Sequence, residues 1–173
     1  MTADQEGLEI VTQSTDETVA LGRRIGEFAK AGQCIALEGM LGTGKTQLVR
    51  GIGLGAAVAD IGLVNSPSYV LLNIYEAVPG NPQSKTVYHL DAYRIKNSDA
   101  FAAVGFSELL EQEGIVAIEW ASRVSDLLPE DYLLIQGDTL DDTTRRWRLI
   151  AHGPQSRALA AAIIENSGHR KNS

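Results

Sequence analysis

Cys34-Ile35-Ala36-Leu37-Glu38-Gly39-Met40-Leu41-Gly42-Thr43-Gly44-Lys45-Thr46-Gln47-Leu48-Val49-Arg50 decides the fold. A short apolar run enters a glycine-spaced loop and leaves it as a helical pattern, the strand–GxxxxGK[ST]–helix order of a phosphate-binding loop. The glycines let the loop turn through positive φ and bring backbone N–H groups near phosphate oxygens. The helix that starts near Lys45 adds unpaired N–H groups and a positive dipole end. Lys45 supplies a point charge for the β- and γ-phosphates, and the Thr46 hydroxyl is placed to ligate Mg²⁺. Gly42, Thr43, Gly44 and Gln47 complete the predicted phosphate cradle.

Upstream of this stretch, residues 8–12 predict a short strand. Ser14-Thr15-Asp16-Glu17 then reads as a capped helix start, with apolar positions Val19, Leu21, Ile25, Phe28 and Ala29 on one face until Gly32 ends the helix. Downstream, Gly53 and Gly55 are expected to stop the loop helix. Residues 69–77 and 86–90 predict neighbouring strands around Val78-Pro79-Gly80-Asn81-Pro82, and residues 98–112 predict one helix. Ile115-Val116-Ala117-Ile118-Glu119 is an apolar run closed by a carboxylate, the pattern of a buried parallel strand. Residues 131–137 and 144–152 predict two strands joined by an acidic turn, and residues 155–165 a last helix. These elements predict an α/β, P-loop NTPase-like three-layer sandwich with a mixed, mainly parallel central sheet. Residues 1–165 are expected to form one domain and 166–173 a loose tail.

Composition narrows the function. Fifteen Lys and Arg against 22 Asp and Glu leave a net charge of −7, which argues against a surface that grips nucleic acid by neutralising phosphates. One cysteine, Cys34, excludes an intramolecular disulfide framework and points to a cytoplasmic protein. No apolar stretch approaches the length of a membrane span, and the acidic residues near Met1 lack the pattern of a signal peptide.

A nucleotide on this loop needs a metal, and the metal needs an acid at the mouth of the sheet. Glu119, at a strand end, is the expected acid. Asp91 ends another strand and could hold metal-bound water, orient an attacking water, or cap a turn and pair with Arg94. Arg94 could equally neutralise charge in the transition state. His89 reads as a packed strand residue rather than a general base. Trp120 reads either as core or as a stacking surface near the site, whereas Tyr93 and Phe106 read as core. Ser66-Pro67-Ser68 has the short hydroxyls of a switch loop. Arg145, Arg146 and Arg148 around Trp147 read as a solvated strand edge.

Four signatures in order, the Gly39 to Thr46 loop, Ser66-Pro67-Ser68-Tyr69, His89-Leu90-Asp91-Ala92-Tyr93-Arg94 and Glu119-Trp120, resemble the TsaE (YjeE) family. The chain departs from the family's usual residues at Met40 (Asp), Ser68 (Thr) and Ala121 (Pro). The resemblance implies a Mg²⁺-dependent ATPase, weakly active alone. It would work with TsaD-type and TsaB-type proteins on threonylcarbamoyl transfer to adenosine 37 of tRNA, meeting tRNA only through that complex. It also implies roles: Lys45 on the phosphates, Thr46 and Glu119 on Mg²⁺, Asp91 on water or the metal shell, and Thr15 on the adenine side. A small-molecule kinase and a nucleotide-gated binding module remain as alternatives. A GTPase is disfavoured because no Asn-Lys-x-Asp segment is present.

Overall fold

The computed structural model describes residues 7–62 and 72–167. The Ser66-Pro67-Ser68 switch expectation lies outside the described residues, as does nearly all of the expected tail. One seven-stranded sheet runs in the order β1-β7-β6-β2-β5-β4-β3. Its strands are β1 (Leu8–Thr12), β2 (Cys34–Gly39), β3 (Leu72–Tyr75), β4 (Thr86–Asp91), β5 (Gly114–Glu119), β6 (Tyr132–Thr139) and β7 (Arg145–Ala151). The centre, β6-β2-β5-β4, is parallel, while β3, β7 and β1 add antiparallel flanks. The expected pairing around the Pro79-Gly80 turn is the β3–β4 hairpin.

The sheet separates two apolar layers. On one face α1 (Thr15–Phe28), α2 (Lys45–Gly55) and α5 (Pro154–Glu165) cover Ile35, Leu37, Ala117 and Ile135. On the other, α3 (Ser98–Ala102), α4 (Phe106–Leu110) and a 3₁₀ segment, Ala121–Leu127, cover Ala36, Leu90, Val116 and Ile118. All six residues of β5 are buried, as a strand covered on both faces requires. This is the expected three-layer sandwich, mainly parallel at its core.

Several local expectations change. Residues 98–112 form two short helices, because Gly105 takes φ 83° and breaks the ladder between them. Helix α1 ends at Phe28, before Gly32, where Ala29 turns extended; Lys85 Nζ then donates to Glu27 O (3.2 Å) and Ala29 O (2.7 Å) at that end. Gly53 lies inside α2 and does not stop it, while Gly55 is its last residue, as expected. Glycines also let α1 and α2 touch backbone to backbone. A Cβ on Gly22 would stand 2.2 Å from Leu48 O, on Gly26 2.1 Å from Ile52 O, on Gly51 2.2 Å from Val19 O, and on Gly55 1.9 Å from Arg23 O. Strand β7 is not an edge, because β1 pairs along it. Its Trp147 is fully buried, while Arg146 pairs with Asp138 (2.9 Å) and Arg148 with Glu9 (3.4 Å) across the neighbouring strands. Phe106 is core as expected, but Tyr93 is exposed.

Candidate functional site

The ends of β2, β4 and β5 and the start of α2 meet at one edge of the sheet. The loop leaves β2 with Gly39, Gly42 and Gly44 at φ 145°, 80° and 106°, conformations open to glycine, so three Cβ-free residues turn the chain into α2. Thr43 is buried and its hydroxyl donates to Met40 O at 2.5 Å, which pins the bend internally. Behind the bend stands Trp147. A Cβ on Gly44 would lie 3.7 Å from its ring, and its Nε1–H donates to Thr12 Oγ1 at 3.0 Å. Arg145 Nε donates to Thr43 O at 3.1 Å, so strand β7 holds the loop from a second direction.

Lys45 opens α2 and is almost wholly buried. Its Nζ donates to Gly39 O (2.6 Å) and Met40 O (3.1 Å) and lies 4.2 Å from the centroid of the Trp120 ring. Burial lowers its pKa, while the charges of Glu119, Glu38 and Asp91 push the other way. The lysine therefore sits among three carboxylates with its ammonium already oriented toward the loop.

Register brings the two expected acids side by side: Asp91 and Glu119 are Cα partners on β4 and β5, and Leu37 of β2 is the partner of Glu119 on its other flank. Glu119 Oε1 accepts from Thr46 Oγ1 at 3.0 Å across 73 residues of sequence. The same oxygen is 2.8 Å from His89 Nε2. Asp91 Oδ1 accepts the backbone N–H of Tyr93 at 2.9 Å, so the turn-capping role expected of an aspartate is realised. Glu38 accepts the N–H of Ser122 and ties the end of β2 to the segment after β5.

Trp120 resolves neither as core nor as free surface. It adopts φ 58°, ψ 41°, a left-handed conformation that costs a non-glycine residue about 1–2 kcal/mol. Its ring packs against Tyr93, tilted by 47° with centroids 4.8 Å apart, and faces Lys45. Contacts of these two kinds contribute about 1 kcal/mol each and offset the strain.

Beside the loop lies an open cleft of about 470 Å³. The predicted Thr15, Gly42, Thr43, Gly44 and Gln47 line it, together with Ser14, Asp16 and Thr18 from the start of α1. Asp142, Thr143 and Arg145 of the β6–β7 hairpin form a further wall. The motifs missed this wall because its residues approach the loop only through antiparallel pairing of β6 with β7. The alternation of outward arginines about an inward Trp147 was the available signal. His89 was expected only to pack, and its bond to Glu119 was missed too; its place two residues before Asp91, on the same face of β4, was the clue.

Among the described residues no cluster of three or more His, Cys, Asp or Glu could hold a metal by itself. A hydroxyl and a carboxylate 3.0 Å apart at the mouth of a phosphate loop are instead the hard oxygen donors that share Mg²⁺ with phosphates and water. The donor set fits that ion, and the amide-lined bend with its buried lysine fits a polyphosphate.

The model of the family described as "Threonylcarbamoyl adenosine biosynthesis protein TsaE" matches residues 12–147. The chain is 31% identical over 138 residues to the tRNA threonylcarbamoyladenosine biosynthesis protein TsaE of Treponema pallidum (strain Nichols), covering 80% of this chain and 96% of that protein. It is 32% identical over 152 residues to the protein of the same name from Bacillus subtilis (strain 168), covering 88% and 90%. Among solved structures it is similar to the crystal structure of Bacillus subtilis YdiB, with a TM-score of 0.76 and 26% identity over 93% of this chain and 96% of that one. The match runs past the motifs to Trp147, so the strands behind the loop share in it.

Proposed function

The chain belongs to the TsaE family, and from that premise we propose that it is the ATP-binding and hydrolysing component of the assembly that makes threonylcarbamoyladenosine at position 37 of tRNAs reading codons that begin with A. Biosynthesis of this modified nucleoside is the coarser role that the family's name carries. The observation that carries the finer reading is the 3.0 Å bond from Thr46 Oγ1 to Glu119 Oε1. It joins the first turn of the loop helix to the acid of a separate strand end, the pair that a magnesium nucleotide requires.

In this reading the loop amides and Lys45 bind the β- and γ-phosphates, and Thr46 with Glu119 holds Mg²⁺. Mg²⁺, when bound, supplies charge neutralisation at the phosphates. Asp91, on the strand beside Glu119, orients the attacking water. Thr15 and Gln47 face the nucleoside end in the cleft that Asp142 and Thr143 also line, and Trp120 keeps Lys45 aimed. The net charge of −7 suits a subunit that leaves tRNA to TsaD-type and TsaB-type partners.

Calorimetry with ATP and Mg²⁺, followed by phosphate release with and without the two partner proteins, tests this. Uptake of ATP and release that rises on adding the partners is the expected result. No uptake with Mg²⁺ present, or stoichiometric phosphorylation of a small molecule without the partners, would overturn it.

A further inference from the structure

Beneath the mouth of the site lies a buried imidazole that the reading above does not use. His89 is fully buried on β4, two residues before Asp91, and its Cα partner Ala117 lies two residues before Glu119 on β5. Period-2 alternation therefore turns His89, Asp91 and Glu119 to the same face of the sheet. His89 Nε2 stands 2.8 Å from Glu119 Oε1, and Nδ1 stands 3.5 Å from the Tyr75 hydroxyl, with the two ring centroids 6.2 Å apart. With the Glu119 carboxylate as acceptor, Nε2 is the donor of this pair and Nδ1 is left facing the Tyr75 hydroxyl.

Both donors to Glu119 land on one oxygen. Thr46 reaches Oε1 from the loop helix and His89 reaches it from below, so the carboxylate is fixed from two elements before anything arrives at the mouth. Packing alone does not require this arrangement, since an apolar side chain of similar volume would fill the same place between β3 and β5. What an imidazole adds is a directional bond on a metal-site carboxylate, the kind of outer partner that sets the orientation and affinity of a ligand.

We propose that His89, backed by Tyr75, is a positioning residue for the metal site: it aims Glu119, so that the response of the nucleotide-loaded protein to Mg²⁺ depends on it while nucleotide binding without metal does not. The inference rests on the reading that this site takes a magnesium nucleotide, and the experiment separates the two.

Calorimetric titration of the full chain with a non-hydrolysable ATP analogue, in EDTA and then at stepped Mg²⁺, gives a metal-free affinity and a Mg²⁺ midpoint for each variant. His89→Leu and His89→Asn should keep the metal-free affinity within about twofold and raise the Mg²⁺ midpoint about 10- to 100-fold. His89→Gln, whose amide reaches roughly as far as Nε2, should recover most of the response, and Tyr75→Phe should shift the midpoint by a smaller factor. In a Glu119→Ala background, His89→Asn should add no further shift. Should His89→Leu fail to fold, the Asn and Gln pair decides: equal midpoints for the two overturn the proposal, as does a wild-type midpoint in His89→Asn. Absence of any nucleotide uptake by the wild-type chain would instead overturn the reading of the site.

Discussion

Lys45 is held between opposed demands, buried enough to lower its pKa and surrounded by Glu119, Glu38 and Asp91, which raise it. Removing its ammonium strips the loop of the charged donor on Gly39 O and Met40 O. Lys45→Ala should weaken ATP binding about 10- to 100-fold, the worth of a hydrogen bond to a charged group. Asp91→Ala should leave that affinity near wild type and lower turnover by about 10²- to 10⁴-fold, the usual contribution of a positioned base. Calorimetry beside a phosphate-release assay distinguishes them, and equal loss of affinity in both contradicts the role given to Asp91. Glu119→Gln keeps an acceptor for Thr46 and His89 but loses the charge, so the Mg²⁺ concentration needed for half-maximal nucleotide binding should rise at least about tenfold. At this scale the placement of Lys45 and Thr46 at the head of α2 and of Asp91 and Glu119 at neighbouring strand ends was legible, because loop and strand-end chemistry constrains residue type. The bond from His89 was not: its spacing from Asp91 puts it on the right face of β4, but that spacing is the same whether the ring only packs or also holds a carboxylate.

Elements fit together more closely than their propensities suggest. Two helices carrying glycines four apart, Gly22 with Gly26 and Gly51 with Gly55, are poor helices in isolation, yet the missing side chains allow carbonyls of one to approach the other's backbone. Gly26→Ala would place a Cβ 2.1 Å from Ile52 O, a collision with backbone rather than with a flexible side-chain end. Overpacking of this kind costs about 1–3 kcal/mol or more, so the midpoint of thermal unfolding followed by circular dichroism should fall by roughly 2–12 °C. Helix α5 depends on a cap from outside it: Asp131 accepts the N–H of Gln155 (2.7 Å) and of Ser156 (2.9 Å). Desolvation is the largest single influence on Asp131 and raises its pKa, but the bonds from Ser156 and Gln155 and the charge of Arg157 together outweigh it and hold the carboxyl below the usual aspartate range. Its contribution is therefore fully present above the unfolded-state pKa and is lost as pH falls through the lower folded value. Asp131→Ala should cost about 1 kcal/mol at neutral pH, and the gap from wild type should close in acid; urea titrations across pH measure both. A gap that persists at the lowest pH would contradict the cap.

Across the whole molecule, the far strands brace the phosphate loop. Thr12 of β1 accepts from Trp147 of β7 across 135 residues of sequence, and Trp147 stands behind Gly44 and Gly137. Thr12→Val strands the buried indole N–H at a cost of about 1–3 kcal/mol, which should appear as a lower unfolding midpoint together with weaker ATP uptake. Unchanged uptake at reduced stability would show that the loop holds its shape without that brace. By itself the sequence determined the strand–loop–helix unit, the carboxylates at two strand ends and the α/β class, because these follow from local periodicity, from backbone conformations open to glycine, and from charge placed where an apolar run stops. Only the tertiary structure decided that Gly51 and Gly55 bring α2 against the backbone of α1, that β7 is interior, and that Asp142, Thr143 and Arg145 line the cleft while His89 grips Glu119. Each of those depends on which distant backbone lies alongside, and strand order and helix approach are set by packing of the whole sheet, not by any window of neighbouring residues.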